Sequence, residues 1–315
     1  MPQFKCLRFR QEVHHTKHHR YEGNWDLELG SSLLRRDSQL HSQSNQKVAQ
    51  IEPQMTLYNT IGHGYAKTRA PDHRITDRLV GLLNLASNAT ILDVGAGTGK
   101  YARDLADRGY SVIALEPSEV MQAQSEPHSG VSFIRATAES IPLPDDSVDG
   151  AIVVLAVHHF EDRPTAFREI VRVAGDGPVV LFSFDPSAFD QFWLSSYFPQ
   201  MGRRFHSLPA ELSNLAEEIS RMTSREVRQV AFPLPPDLQD KFGAASWSRP
   251  EDYLQPEIRD GISDFALMST DDLEQGLENL TMDLESGRWD LKYGALRTQE
   301  YFDAGYRFII VEANA

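Results

Sequence analysis

Two hydrophobic rhythms alternate along residues 74–185. In RITDRLVGLLNL (74–85), Ile75, Leu79, Leu82 and Leu83 recur at helical spacing, which predicts a helix with one apolar side. TILDV (90–94) is a short apolar run and predicts a strand. KYARDLADRG (100–109) then reads as a helix closed by Gly109. SVIALEP (111–117), VSFIRA (131–136), VDGAIVVLAV (148–157) and GPVVLFSFD (177–185) predict four more strands. A helix with Phe167, Ile170 and Val171 turned inward precedes the last of them. The strands are near-continuous β-branched runs, as strands covered on both faces are. Their alternation with helices predicts an α/β chain built on a Rossmann-like, doubly wound parallel sheet. Residues 226–235 and AGYRFIIVEAN (304–314) read as a sixth and a seventh strand. Between them, Ser269 and Asp272 form a capping box for a helix with Leu273, Leu277, Leu280 and Leu284 on its buried side.

Residues 1–50 break this order. They carry eight Lys/Arg against five Asp/Glu, and no periodicity is sustained in them. Four histidines in HHTKHH (14–19) admit a metal-binding tract; a disordered extension is the expectation. The chain thus divides into that extension, a core at 51–185, and insertions with the last two strands at 186–315. The remainder is acidic enough to bring the whole chain to a net charge of -14, which disfavours nucleic acid as a partner. No run of about 18 apolar residues exists, so no membrane span is expected. Cys6 is the only cysteine, which excludes an intramolecular disulfide and suits a cytoplasmic location.

The candidate chemistry sits where the first strand meets its helix, in ILDVGAGTGKY (91–101). In doubly wound sheets ligands bind at the carboxyl ends of the strands, where the strand order reverses. A phosphate-cradling Walker loop would need Gly at Val94 and Ser or Thr at Tyr101. The dinucleotide pattern G-x-G-x-x-G would need Gly at Lys100, and Asp93 would face a pyrophosphate unfavourably. What remains is D-x-G-x-G-x-G over Asp93, Gly95, Ala96, Gly97 and Gly99.

That motif resembles the class I S-adenosylmethionine (SAM)-dependent methyltransferases. SAM carries an ammonium and a sulfonium and no phosphate, so a carboxylate beside the loop is favourable. The resemblance implies that Asp93 helps hold the amino-acid moiety and that Glu116, followed by Pro117, accepts the ribose hydroxyls. ATAESIPLPDDSVDGAIVVLAVHHF (136–160) is similar to the family's stretch flanking adenine, which implies pocket positions at Thr137, Ala138, Glu139 and Leu155. Thr137 stands where many relatives have Asp, and Thr still accepts one hydrogen bond. YNTIGHGYAKTRAPDHRI (58–75) resembles the entry segment of type 11 small-molecule and ubiquinone/menaquinone-biosynthesis methyltransferases. Tyr58, Tyr65 and Arg69 match there, with Arg69 a candidate for the methionine carboxylate; tyrosines that merely pack are the alternative. In that family's fold the last two strands form an antiparallel edge.

His158 and His159 follow the fourth strand, where this fold brings side chains to the transferable methyl. Either imidazole is a candidate general base, with a capping or pocket-lining role as the alternative. Adjacent strand residues point to opposite faces, so no metal site is expected of the pair. No Asn/Asp-Pro-Pro-Tyr tetrapeptide follows that strand, which again argues against nucleic-acid methylation. The C-terminal insertions look like those of an uncharacterised bacterial methyltransferase-like group and are expected to form the substrate pocket. Phe192, Trp193, Tyr197, Phe198, Trp247 and Trp289 suggest an apolar or aromatic small-molecule substrate, unless they are core. The expected activity is SAM-dependent methylation of a small molecule. The other readings are a SAM-binding regulatory or scaffold protein without turnover, and an NAD-dependent oxidoreductase.

Overall fold

The computed structural model describes residues 69–207 and 214–314. The N-terminal extension with its His tract, and the candidate residues Tyr58 and Tyr65, lie outside the described residues. Seven strands form one sheet: β1 (Thr90–Val94), β2 (Ser111–Leu115), β3 (Val131–Ile134), β4 (Gly150–Val154), β5 (Val179–Phe184), β6 (Val227–Ala231) and β7 (Tyr306–Val311). Their spatial order is β3-β2-β1-β4-β5-β7-β6. The first five are mutually parallel, while β7 runs antiparallel to both β5 and β6. The order reverses between β1 and β4, so the glycine loop after β1 opens at the switch point.

Successive residues of each strand feed opposite faces. Ile91, Val112, Ala114, Ile152 and Phe182 lie in one core layer, and Leu92, Leu115, Ala151, Val153 and Leu181 in the other. This is the reason the strands read as unbroken apolar runs. The first layer is covered by α1 (His73–Leu83) and α2 (Lys100–Asp107), which follow the expected helical stripes. Asp72 caps α1 through Arg74 N at 3.1 Å. A single turn, α3 (Glu119–Gln122), follows β2. The second layer is covered by α4 (Arg163–Ala174), whose Phe167 and Ile170 are buried, and by α6 (Leu215–Thr223).

The C-terminal insertions add to the first layer. They comprise α5 (Pro199–Ser207), α7 (Pro256–Asp260), α8 (Ser263–Ala266), α9 (Thr270–Glu285), α10 (Arg288–Tyr293) and several short 3₁₀ turns. The capping box of α9 is present, with Asp272 N donating to Ser269 Oγ at 3.2 Å; Leu280 is buried and Leu273, Leu277 and Leu284 pack half-buried beside it. Trp193, Trp247, Trp289 and Phe198 are almost wholly buried. Trp193 meets Trp289 edge-on at 5.3 Å and donates Nε1–H to Trp247 O at 2.8 Å. These aromatics, with Tyr197, form the core of the added layer; Phe192 differs in lining the cavity on the insertion side. Among the described residues no helix is long and apolar enough to cross a membrane.

Candidate active site

The loop after β1 is built by backbone geometry and one carboxylate. Gly95 N and Ala96 N both donate to Leu115 O, at 2.8 and 3.0 Å, which folds the loop back over the end of β2. Gly95 lies so near the turn after β4 that a Cβ there would stand 2.6 Å from Ala156 Cβ. Gly97 takes φ +58°, and a Cβ there would meet only the flexible tip of Met121, at 3.3 Å. Gly99 serves packing: its Cβ would strike the Phe133 ring at 2.5 Å. Glu116, buried just past β2, clamps the turn by accepting Gly97 N–H at 2.9 Å and Ser118 N–H at 2.8 Å. Burial nevertheless raises its pKa, the two N–H donors opposing that shift.

Above this loop lies a cleft of about 1140 Å³, its mouth open to solvent. Gly95, Ala96, Gly97, Glu116, Pro117, Thr137, Ala138, Glu139 and Leu155 all line it, together with Arg69 and His159. Glu139 also accepts Glu161 N–H at 2.8 Å, tying the segment after β3 to the turn after β4. Two expected residues do not line the cleft. Gly99 is turned onto Phe133, and Asp93 is buried beneath the loop at 2% exposure. Asp93 Oδ2 is sealed from solvent with no hydrogen-bond partner. Burial first, and the neighbouring charge of Glu116 second, push its carboxyl up to about 7.

The second cavity, about 820 Å³ with the open space at its mouth included, lies on the insertion side. Phe184, Phe189, Phe192, Phe205, Phe242 and Tyr306 give it aromatic walls, with His158, Asp185 and Asp264 as polar points. Arg69, Leu155 and His159 line both cavities and form the partition between them. Leu155 holds a left-handed backbone, φ +51°, which costs a non-glycine residue on the order of 1 kcal/mol and marks a constrained junction. Its N–H donates to Phe182 O at 2.8 Å, which keeps the junction registered on β5.

The histidines depart from expectation in one respect. β4 ends at Val154, and His158 and His159 sit on a 3₁₀ turn, so they do not point to opposite faces; their ring centroids are 3.8 Å apart. Burial chiefly, then the charge of its neighbours His159, Arg204 and Arg69, holds the His158 imidazole well below its usual range. Burial, with Arg204 second, brings His159 down to about 4. Both are neutral at physiological pH. Among the described residues no group of three or more His, Cys, Asp or Glu is placed to hold a metal ion.

Arg69 reaches the site but is already engaged. Its guanidinium forks onto Asp240, with Nη2 to Oδ2 at 3.3 Å, and Nη1 donates to Gly261 O at 3.4 Å. A ligand carboxylate would have to share it. Asp240, 1% exposed, also accepts the Tyr101 hydroxyl at 3.0 Å. Sequence reasoning missed Asp240, Lys100, Tyr101 and Met121, all on the cleft wall. Tyr101 and Lys100 fall inside the quoted glycine stretch and could have been noted as the first helical turn facing the switch point. Asp240 sits in an irregular segment with no motif around it.

Comparison with known proteins places this geometry. A family model described as a methyltransferase domain matches residues 92–182, the stretch from β1 to β5. A solved protein of Anabaena variabilis, provisionally named as a methyltransferase from an antibiotic biosynthesis pathway, is 44% identical. The match covers 78% of this chain and 99% of that one, with a TM-score of 0.74. The malonyl-[acyl-carrier protein] O-methyltransferase of Serratia marcescens is 32% identical over 133 residues, 41% of this chain and 51% of that protein. An O-methyltransferase of Aspergillus nomiae is 35% identical over 112 residues, 33% of this chain and 50% of that protein. The chain spans about half the length of these curated relatives.

Proposed function

The chain belongs to the class I SAM-dependent methyltransferases, and from that premise we propose that it moves a methyl group from SAM in the switch-point cleft to a small molecule in the aromatic cavity. The observation that carries this reading is the shared partition: a donor and an acceptor bound on either side of Arg69, Leu155 and His159 would meet there. The residues present fit SAM. The cleft offers a backbone free of side chains at Gly97, a carboxylate at Glu116 for the ribose, and below the loop a carboxylate with one unsatisfied oxygen suited to an ammonium. Bound there, SAM would supply a methyl group already activated by its sulfonium. The protein's own contribution is then mainly alignment of the acceptor. Thr137, Ala138 and Glu139 would flank adenine, and the neutral imidazoles of His158 and His159 would receive a proton where the acceptor must lose one.

Calorimetric titration with SAM tests the cleft, and mass spectrometry of a cell extract incubated with methyl-labelled SAM and the protein tests transfer. Absence of SAM binding would sink the reading at its base. Two variants refine it. Glu116→Ala should weaken SAM and S-adenosylhomocysteine alike by roughly ten- to a hundredfold, because both share the ribose and charge-assisted hydrogen bonds are lost. A weakening confined to SAM would mean that Glu116 senses the sulfonium instead. His159→Asn should lower kcat by about a hundredfold or more where a proton is transferred there, with SAM affinity little changed; an unchanged kcat would remove His159 from proton transfer.

A further inference from the structure

The aromatic cavity constrains what it can accept by charge as well as shape. Its two arginine neighbours are committed: Arg69 to Asp240, and Arg204 to the half-buried Asp264 at 3.3 Å. Asp185 lies on the wall with no cationic partner among the described residues; its Oδ1 instead accepts Ser187 N–H at 2.9 Å and Ser187 Oγ–H at 2.7 Å. An anionic acceptor would therefore shed its hydration, find no spare cation among the described residues, and face a carboxylate.

A further polar point is His158. Neither ring nitrogen makes a hydrogen bond among the described residues: Nδ1 is sealed from solvent, while Nε2 keeps an accessible face. Its ring lies edge-on to Phe184, 5.8 Å away, which also lines the cavity. An imidazole left unsatisfied beside a cavity of flat aromatic rings is matched by a ligand that is flat, apolar and carries one donor.

Resting on the methyl-transfer reading, we propose that this cavity takes an uncharged aromatic compound bearing a hydroxyl group, seated with that hydroxyl on His158 Nε2 and methylated at its oxygen. In the transfer an O–CH₃ bond forms and the S–CH₃ bond breaks, its electron pair staying on sulfur. The hydroxyl proton passes to His158 Nε2 and from there to water. A weakly basic imidazole suffices, because an oxygen that has gained a methyl group and kept its proton is a far stronger acid than imidazolium. One positive charge leaves sulfur as one appears on His158, so the transfer adds no net charge to the buried site. A carboxylate acceptor, such as the name of the malonyl relative indicates, has no proton to give His158. An ammonium acceptor has no lone pair, and a neutral buried imidazole would not relieve it of its proton.

The test uses the full chain saturated with S-adenosylhomocysteine and three probes of one shape at pH 7.5: 2-naphthol, 2-naphthoate and 2-naphthylmethylammonium. Calorimetry should give 2-naphthol at least about tenfold tighter binding than either charged probe, the cost of leaving one charge unpaired being larger than that ratio. With SAM in place, mass spectrometry should find 2-methoxynaphthalene and neither the methyl ester nor the methylamine. His158→Phe should slow that product by roughly a hundredfold or more while S-adenosylhomocysteine affinity is kept. Equal or tighter binding of either charged probe, or transfer to it, would overturn the proposal. So would failure of all three to bind protein that still takes up S-adenosylhomocysteine. Loss of S-adenosylhomocysteine binding itself would instead overturn the reading of the cleft. If His158→Phe does not fold, the selectivity of the parent protein still decides.

Discussion

Gly97→Val should yield a folded protein that no longer takes up SAM. Its backbone stands at φ +58°, where a β-branched side chain is strained by roughly 1–2 kcal/mol or somewhat more. That is a fraction of the 5–15 kcal/mol typical of a domain. Sterically the protein concedes little, because among the described residues the added Cβ would meet only the far end of the Met121 side chain. The branched methyls would occupy the cleft itself, and the strain would disturb the N–H that Glu116 holds. Loss of affinity should exceed about a hundredfold. Gly95→Ala is the contrasting case: its methyl would press on Ala156 of the neighbouring strand end, so it should lower the melting temperature first. Calorimetry and thermal unfolding of both variants check this. SAM affinity unchanged in a folded Gly97→Val protein would mean that the ligand does not approach the loop.

Asp93→Asn should move stability and affinity in opposite directions. The carboxyl sits at about 7 in the folded protein against a reference of 3.8. Between those values the folded chain holds a proton that the unfolded chain has released. Stability therefore falls as pH rises from about 4 to 7, and the full cost persists above 7. Three units correspond to about 4 kcal/mol at most. Asparagine carries no such proton, so the variant should unfold at higher temperature than the parent at pH 8, with the gap closing toward pH 4. SAM binding should change the other way. At pH 8 the variant should bind roughly ten- to a hundredfold more weakly, having lost a charge-assisted contact to the ammonium. The parent's own affinity should decline as pH drops through about 7, and the variant's should not. Equal SAM affinity of the two proteins at pH 8 would assign the amino group to another partner.

The sequence carries β1 to β5 and the first helices to within a few residues, because strands buried on both faces leave apolar runs that nothing else in the chain mimics. Nine of the expected site residues from Gly95 to Leu155 line the cleft for the same reason: they follow strand ends, which the topology gathers at one place. Gly99 shows the limit. Position in a motif does not distinguish a residue that touches the ligand from one that shapes the loop beneath it. The histidine turn was misjudged because β4 stops at Val154, and an apolar run does not announce where pairing ceases. The tryptophans stay open between pocket and core in the sequence, because large rings beside a cavity and large rings sealed within a layer have the same spacing. Asp240 could not be read at all, since its partner Arg69 lies 171 positions away.

The place of β7 bears on how the molecule is assembled. It lies between β5 and β6, bonded to both, yet more than 70 residues separate β6 from it and more than 120 separate β5 from it. Closing such distant pairings is slow compared with forming the local β1-to-β5 crossovers. Until β7 docks, the outer edge of β5 is an open template of apolar residues, Val179 to Phe182, and β6 has no strand to join. Such an edge pairs with other chains as readily as with its own. Heterologous expression should therefore yield aggregates seeded at this edge when synthesis outruns folding, and lower temperature or a chaperone should recover material by protecting β5 rather than by strengthening the switch-point half.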